Sequence, residues 1–383
     1  MSFSSSTTKG NCPTRFFVSC AGSLEELLVA ELKELGLRGV EQGFRGVYLP
    51  KSVEAVYTVN YASRIATRVL WPLLTFTCPD RETLYKDVRS IDWSAYLDDQ
   101  DTFSIDANVT PHPTIKNSHF AALVIKDAIC DQQRDRFGNR SSINLVNPDL
   151  QLNLFLHRGK ATLYLDTSGQ PLFKRGYRTM GGAAPLQESL AAAVLRLAGY
   201  DSSQDVLVDP FAGSGTILVE AAMIATKTAP GFYRKHWGFE RLPEFSETAW
   251  KACKKSFDDQ KTPLASGKIM GADQDPLMVE LARKHLEITG FIHSIDVFTR
   301  AVAKFRPPVS PTLVVTNPPY GERLERETAL YQDFSKFLEG ISPRAVYFLV
   351  PAKCKTPIPS RRIFSCLNGG LEVDLLEHLP HPI

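Results

Sequence analysis

Hydrophobic and polar residues alternate in two different ways along the chain, and the change falls near Gly181-Gly182. Before it, short runs with an alternation of period two are mixed with segments whose apolar residues recur at helical spacing. The predicted strands there are Arg15–Cys20, Gly46–Leu49, Arg68–Phe76, Phe103–Val109, Leu150–His157 and Ala161–Asp166, and the predicted helices are Leu24–Leu35, Val53–Ala62 and Ser118–Arg134. Ser23 and Glu26 predict a capping box at the first helix. The order of elements indicates a mixed α+β amino-terminal half.

After this point, helices alternate regularly with short, fully apolar strands. The predicted strands are Val206–Asp209, Ile269–Ala272, Leu313–Thr316 and Ala345–Val350, and the predicted helices are Glu188–Ala198, Gly215–Ala225, Pro276–Thr289 and Glu327–Leu338. Such alternation predicts a parallel sheet with helices on both faces. The last two predicted strands, Arg362–Cys366 and Leu371–Glu377, are joined by an Asn-Gly-Gly turn. A hairpin of this kind requires one strand of the sheet to run antiparallel.

Length and composition limit the class of protein. A chain of 383 residues favours two or three domains, and 43% hydrophobic with 22% charged residues is typical of a folded protein. The formal charge of +2 is too small to indicate a nucleic acid by itself. Residues from His112 to Arg178 contain more Lys and Arg than Asp, a pattern that fits either phosphate binding or a solvated surface.

The seven cysteines are scattered and form no C-x-x-C pair. We therefore expect neither a disulfide framework nor a metal site, and a reducing compartment fits best. The amino-terminal residues are polar, and the sequence has no apolar run of about 18 residues. The expected location is cytoplasmic, with no membrane partner.

A glycine-containing segment, Asp209 to Thr216, lies between a buried strand and a helix. Glycine lets the backbone approach a ligand closely, and a helix amino terminus attracts anions, although a tight turn can need glycine for structural reasons alone. The segment lacks the third glycine of a dinucleotide fingerprint and the lysine of a P-loop. Asp273, at the end of the next predicted strand, could accept the hydroxyls of a ribose. Asp275 precedes Pro276 and is predicted to cap a helix.

Asn317-Pro318-Pro319-Tyr320 directly follows another apolar strand. The two prolines fix the backbone and lack N–H donors, so carbonyl groups project without local partners. Asn317 adds a side-chain carbonyl and Tyr320 a flat ring. Together they could hold a planar amine, with acceptors on its N–H groups and the ring stacked on a base, or they could form a stiff loop. Methyl transfer to such an amine depends mainly on orientation and needs no metal.

These segments resemble the THUMP-domain RNA methyltransferases, and the resemblance covers nearly the whole chain. It is carried by Asp209–Thr216, Gly271–Pro276, Asn317–Leu324, Ala21–Leu32, Ile115–Ser118 and Lys126–Ile129. Within the family, the sequence is most similar to enzymes that methylate guanine N2 in 23S rRNA and form the first half of bifunctional proteins. We expect the second enzyme of those proteins to be missing from this sequence.

The resemblance implies a disordered tail at 1–14, a ferredoxin-like unit at 15–65 and a THUMP RNA-binding domain at 66–167. A Rossmann-like class I methyltransferase domain is expected at 168–383. The implied contacts with the cofactor, S-adenosylmethionine, are Asp209, Phe211, Gly213, Gly215, Thr216, Asp273 and Glu188. The implied contacts with the target base are Asn317, Pro318, Pro319 and Tyr320. The implied RNA contacts are Lys116, Asn117, Lys126, Arg134, Arg175 and Arg178.

Several points stay open at this level. Relatives often have an acidic residue that contacts the cofactor's adenine where this sequence has Ala301, so adenine recognition is not explained. The expected function is methylation of a guanine amino group, most simply in 23S rRNA. The alternatives are a tRNA guanine-N2 methyltransferase, a DNA adenine methyltransferase that flips its base, and a non-catalytic RNA-binding or ribosome-assembly factor. The sequence determines neither the nucleotide nor the oligomeric state.

Overall fold

The computed structural model describes residues 11–178, 186–319, 324–354 and 356–379. In these ranges the chain forms two sheets. No helix in these ranges is both long enough and apolar enough to cross a bilayer.

The amino-terminal half is built on one eight-stranded sheet. Its strands are β1 (Arg15–Ser19), β2 (Glu41–Gly43), β3 (Gly46–Pro50), β4 (Arg68–Thr77), β5 (Thr102–Val109), β6 (Ser142–Ile143), β7 (Leu150–His157) and β8 (Lys160–Asp166). Its helices are α1 (Glu25–Glu34), α2 (Val53–Ala62), α3 (Arg81–Arg89) and α4 (Ser118–Phe137). The strand order is β2-β3-β1-β4-β8-β7-β5-β6, and β4 pairs antiparallel with both β1 and β8. The predicted α+β half is confirmed, as a single continuous sheet.

Two local predictions in this half are wrong. Leu24 precedes α1 without a side-chain cap and Ser23 has φ +69°, so the capping box does not form. The Glu25 carboxylate instead accepts a hydrogen bond from the backbone N–H of Arg45, at 3.0 Å. Residues 11–14 are not part of a tail, because Asn11 pairs with Thr75 on β4. Residues 1–10 lie outside the described ranges.

The carboxy-terminal half is built on a seven-stranded sheet. Its strands are β9 (Leu207–Asp209), β10 (Ile269–Asp273), β11 (Ile295–Thr299), β12 (Leu313–Thr316), β13 (Ala345–Pro351), β14 (Ser360–Asn368) and β15 (Leu371–His378). Its helices are α5 (Glu188–Leu197), α6 (Thr216–Ala225), α7 (Glu247–Asp258), α8 (Pro276–Thr289) and α9 (Leu324–Ile341). The order is β11-β10-β9-β12-β13-β15-β14, parallel except for β15, which runs antiparallel to both its neighbours. The predicted parallel sheet with one antiparallel strand is confirmed.

An aromatic cluster joins the two halves. Tyr57 and Tyr61 on α2 pack against Trp237, Phe239 and Trp250, which lie between α6 and the end of α7. All five side chains belong to the hydrophobic core of the amino-terminal sheet. The segment after α6 therefore completes the core of the first half although it follows the first strand of the second sheet. This sharing predicts that the halves unfold together.

The cluster yields a stability prediction at Tyr61. Its ring is buried, lies 5.4 Å from that of Trp250, and its hydroxyl donates to Asp258 Oδ1 at 2.6 Å. We expect Tyr61→Ala to lower the free energy of unfolding by about 3–5 kcal/mol in one shared transition. Urea unfolding followed by tryptophan fluorescence and by circular dichroism measures it. Tyr61→Phe, which loses only the hydroxyl, should cost about 1 kcal/mol. Separate transitions, with only one shifted by Tyr61→Ala, would contradict the shared core.

Candidate active site

Three strand ends meet at one edge of the carboxy-terminal sheet. β10 and β12 lie on opposite sides of β9, so the order of strands reverses there. Ligands of open α/β sheets bind outside the carboxyl ends of the strands at such a reversal. The ends of β9 and β12 are joined directly, since the Thr316 hydroxyl donates to Asp209 Oδ1 at 2.5 Å. The glycine segment after β9 and the Asn-Pro-Pro segment after β12 are therefore adjacent.

The glycine segment turns sharply from β9 into α6. Gly213 and Gly215 have φ of +51° and +81°, a region that other residues rarely adopt. A Cβ on Gly215 would lie 3.1 Å from the Cβ of Ala282 on α8, so this glycine also permits close helix packing. A Cβ on Gly213 would meet no described atom within 4 Å. The turn is thus packed against α8 at Gly215 and open at Gly213.

Asp273 holds this turn from the end of β10. Its Oδ2 accepts from the backbone N–H of Gly213 and its Oδ1 from that of Asp275, both at 2.9 Å. Burial raises the pKa of Asp273. Each carboxylate oxygen keeps further acceptor capacity, so the carboxylate can still receive hydroxyl groups of a ligand. Asp275 caps α8 through the N–H of Leu277, at 2.9 Å, as predicted. The ribose role of Asp273 stays a prediction.

Asp209 is buried at the centre of the strand ends. Besides the Thr316 hydroxyl, the backbone N–H of Phe211 donates to its Oδ1, at 3.1 Å. Burial raises the pKa of Asp209 to about 7. Burial therefore favours the protonated form of this carboxyl group, which can donate a hydrogen bond as well as accept one. The Phe211 ring packs edge-on against Phe334 of α9, with ring centres 5.3 Å apart, and anchors the turn.

Glu188 lies beside the start of α6, and the side chain of Arg178 links Glu188 to Thr216, the first residue of that helix. The guanidinium of Arg178 binds Glu188 at 2.9 Å through Nε and donates to the Thr216 hydroxyl at 2.8 Å through Nη2. Glu188 is buried, and burial raises its pKa. The structure thus brings Glu188 and Thr216 together with the glycine segment. The prediction that Arg178 binds RNA is wrong, because its side chain is mostly buried on these two partners.

Arg175 is the second incorrect RNA prediction. Only 1% of the residue is exposed, and its guanidinium contacts Glu220, the carbonyl of Leu172 and the carbonyl of Arg64. A phosphate cannot reach a cation enclosed in this way. Sequence spacing does not separate such an arginine from a surface arginine.

The other four predicted RNA contacts lie at or near the surface around α4. Lys116 and Asn117 are exposed, and the Asn117 side chain caps α4 by accepting from the N–H of Phe120. Lys126 and Arg134 form ion pairs with acidic neighbours on the same helix, at 2.9 and 3.1 Å. Their charge is thus partly compensated. Their role in RNA binding stays a prediction.

Asn317 has an unsatisfied acceptor at the strand edge. Its side-chain oxygen is buried and accepts no hydrogen bond among the described residues. A buried polar atom without a partner costs about 1–3 kcal/mol, and a ligand that supplies the missing partner recovers that cost. Pro318 is buried and Pro319 is exposed, whereas Tyr320 lies outside the described ranges. The free oxygen fits an N–H donor supplied by a substrate.

Sequence reasoning missed two residues of the site. The first is Thr316, whose hydroxyl donates a hydrogen bond that orients Asp209. The second is His285 on α8, whose Nδ1 forms a hydrogen bond with the carbonyl of Ser214 in the glycine segment, at 2.9 Å. A threonine ending an apolar strand and a histidine within a helix carry no distinctive pattern.

Asp296 is exposed near the start of β11, away from the strand ends, so it does not replace the acid missing at Ala301. Within the described ranges, no three His, Cys, Asp or Glu side chains are grouped to hold a metal ion.

The raised pKa of Asp209 yields a pH prediction. Between its ordinary pKa of 3.8 and the folded value of about 7, the folded protein holds this proton more tightly than the unfolded chain. The contribution of Asp209 to stability therefore falls as the pH rises through this window. Asp209→Asn keeps an acceptor oxygen and does not titrate.

We expect Asp209→Asn to be close to the unmodified protein in stability at pH 5, and more stable at pH 8 by on the order of a few kcal/mol. Denaturant titrations at both pH values measure the difference. Asp296→Asn, at an exposed position, serves as the control. A stability difference between the two proteins that is the same at pH 5 and at pH 8 would show that the carboxyl pKa is not raised.

Three family models match consecutive parts of the chain. They are the RlmL ferredoxin-like domain at residues 15–70, the THUMP domain at 78–166 and the RMKL-like methyltransferase domain at 175–354. The chain is 35% identical over 323 residues to a ribosomal RNA large subunit methyltransferase K/L of Shewanella frigidimarina, covering 83% of this chain and 45% of that protein. It is 38% identical over 379 residues to the protein of that name from Pseudomonas paraeruginosa, covering 94% and 52%. The chain spans about half the length of these curated relatives.

Among solved structures, the chain is similar to SMU.472, whose crystal structure was solved in complex with SAH. The TM-score is 0.79 at 26% identity, and the match covers 97% of this chain and 99% of SMU.472. The similarity extends over both sheets described above. The chain therefore contains, in this order, an RlmL-type ferredoxin-like domain, a THUMP domain and an RMKL-like methyltransferase domain.

Proposed function

We propose that the chain is an S-adenosylmethionine-dependent methyltransferase that acts on the exocyclic amino group of a guanine in large-subunit ribosomal RNA. The observation that carries the proposal is the unpaired side-chain oxygen of Asn317, placed one residue after the Thr316–Asp209 hydrogen bond. A free acceptor for an N–H group thus adjoins the glycine segment. The relatives named as ribosomal RNA methyltransferases and the neighbour complexed with SAH support the same reading.

The residues around the glycine segment fit this cofactor. The Gly213 position is open, Asp273 has acceptor capacity for ribose hydroxyls, and buried Glu188 and Asp209 can receive an ammonium group. The cofactor supplies a methyl group on a positively charged sulfur, which is a good leaving group. We assign Asp273 to the ribose, and Asp209, Phe211, Gly213, Gly215, Thr216 and Glu188 to the methionine end.

Asn317 orients the nucleophile in this mechanism. Its side-chain oxygen accepts one N–H of the target amine, and the carbonyl groups of the proline segment are further acceptors. Hydrogen bonds from both N–H groups favour a pyramidal nitrogen, whose lone pair then points at the methyl group. The protein's main contribution is orientation, which supplies about 7–11 kcal/mol for well-placed reactants. We include Tyr320 as a stacking surface for the base.

The choice of guanine, the RNA substrate and the RNA contacts are each supported by a separate observation. An amide oxygen suits the amine of adenine as well as that of guanine; we propose guanine because the motifs resemble those of guanine-N2 enzymes. A THUMP domain and ribosomal RNA relatives support an RNA substrate. Lys116 and Asn117, just before α4, and Lys126 and Arg134 on α4 remain the proposed RNA contacts. We also propose a cytoplasmic location, which the ribosomal RNA relatives support.

Asn317→Ala tests the proposed chemistry. We expect turnover to fall by roughly 100-fold, equivalent to about 2.7 kcal/mol, because the contact acts only as the methyl group is transferred. Single-turnover methylation of a guanine-containing rRNA fragment measures it. Affinities for the cofactor and for RNA should stay nearly unchanged. An active Asn317→Ala enzyme, or methylation of the same fragment with inosine at the target position, would refute the assignment, since inosine lacks the amino group.

Asp273→Ala tests the cofactor assignment. We expect binding of S-adenosylmethionine to weaken by on the order of 100-fold, because charged hydrogen bonds contribute about 1.5–3 kcal/mol each. Isothermal calorimetry measures the affinity. Asp273→Asn keeps one acceptor for the Gly213 N–H and should lose less affinity than Asp273→Ala. Equal affinity in the unmodified protein and Asp273→Ala would show that this carboxylate does not contact the cofactor.

A further inference from the structure

A cleft of about 420 Å³ separates the ferredoxin-like unit from the methyltransferase domain. One wall is formed by residues 19–22 at the end of β1, by Arg45 in the β2–β3 turn and by Arg68 at the start of β4. The other wall contains Gln187, Leu367 and Gly369. Its volume falls within the range of about 300–1,000 Å³ that is typical of sites for small organic groups.

The cleft opens at the same edge of the sheet as the candidate active site. Gln187 directly precedes Glu188, and its backbone N–H donates to the Asn368 side chain at 3.2 Å. β15 runs antiparallel to β13 with Val373 opposite Pro351, the last residue of β13. The turn before β15 therefore lies beyond the carboxyl end of β13, on the side where Asp209 and Asn317 are found.

The charge of the cleft suits an anion. The described residues that line it include two arginines and no carboxylate, while the Glu25 carboxylate nearby accepts a hydrogen bond from the backbone N–H of Arg45. Arg68 is held by Asp166 and by the carbonyl of Gly169, so its charge is largely compensated. The Arg45 side chain lies along Gly22, whose added Cβ would be 3.6 Å from Nε. Arg45 is therefore the cation of this cleft best placed to bind a phosphate.

An exposed aromatic ring adjoins this arginine. Phe44, at the tip of the β2–β3 hairpin, is 84% exposed, more than any other large hydrophobic residue that the structure describes. The Arg45 guanidinium lies 5.7 Å from the centre of the Phe44 ring. A single exposed apolar residue is ordinary. Arg45 lines the cleft and Phe44 is its exposed neighbour, and a flat ring beside a cation has the composition of sites that stack unpaired nucleotides.

We propose that the Phe44–Arg45 tip and this cleft bind a nucleotide of the RNA substrate that flanks the target base. Phe44 stacks on the flanking base, and Arg45 binds a phosphate of the same strand. The inference rests on the proposed RNA methyltransferase function and adds a specific contact outside the THUMP domain. It also gives the ferredoxin-like unit a direct part in substrate positioning.

Steady-state methylation by the full chain tests this inference, with protein-free 23S rRNA from cells that lack the protein as substrate. We expect Phe44→Ala to raise KM by about 10-fold with kcat changed less than about twofold, since stacking is lost but the chemistry is untouched. Phe44→Trp should keep KM near the unmodified value. Ile288→Ala, an exposed apolar residue on α8, is the matched control and should have no effect.

Arg45 needs a substitution that preserves its backbone. Its φ is +54°, a conformation that asparagine tolerates, so Arg45→Asn removes the charge with little strain. We expect the slope of log affinity against log salt concentration to fall by roughly one, as for the loss of one phosphate contact. In a second experiment, p-benzoylphenylalanine in place of Phe44 should cross-link to nucleotides close in sequence to the methylated one.

The outcomes separate the two hypotheses. If the unmodified protein transfers no methyl group to this RNA, the proposed function fails. If it does, but Phe44→Ala and Arg45→Asn keep the unmodified KM and salt slope, only the flanking-nucleotide site is wrong. Cross-links confined to RNA far from the methylated nucleotide would also overturn the site.

Discussion

The buried ion pair between Arg175 and Glu220 is the interaction on which the arrangement of the two halves depends. Arg175 lies at the entry to the methyltransferase domain, Glu220 is on α6, and Arg175 also donates to the carbonyl of Arg64 at the end of the ferredoxin-like unit. Burial alone would lower the pKa of Arg175. The nearby Glu220 carboxylate has the stronger opposite effect, so the pKa of Arg175 is raised and the guanidinium stays charged. Removing one partner would leave an uncompensated buried charge, which typically costs 3–5 kcal/mol.

This pair also connects the domain junction to the candidate active site. Glu220 lies one turn after Thr216, the first residue of α6, and Thr216 follows the glycine segment. Arg178, three residues after Arg175, binds both Thr216 and Glu188. Helix α6 thus contacts the domain junction through Glu220 and adjoins the glycine segment through Thr216. The position of the ferredoxin-like unit and the geometry of the glycine segment therefore depend on the same helix.

Sequence patterns predicted most of the elements, because strand and helix periodicity reports which residues face a core. The sequence patterns failed where contacts between residues distant in the sequence determine the local structure or the role of a side chain. The Ser23 and Glu26 capping pattern did not form, since Ser23 adopts a positive φ and the helix begins after Leu24. β11 was missed because exposed Asp296 interrupts its short apolar run. Arg175 and Arg178 were assigned to RNA because their buried partners, Glu220 and Glu188, are identified only by the fold.

The proline segment explains how an unpaired acceptor persists at the strand edge. An asparagine side chain usually finds a partner in the backbone N–H two residues ahead, in an Asx turn. Here that residue is Pro319, and the residue between is Pro318, so neither nearest backbone nitrogen carries a hydrogen. The Asn317 oxygen therefore stays unpaired among the described residues, at a cost in stability. The position of this atom at the strand edge, beside the glycine segment, distinguishes it from the other unpaired buried atoms, because a ligand bound at the strand ends can supply the N–H that the chain itself does not.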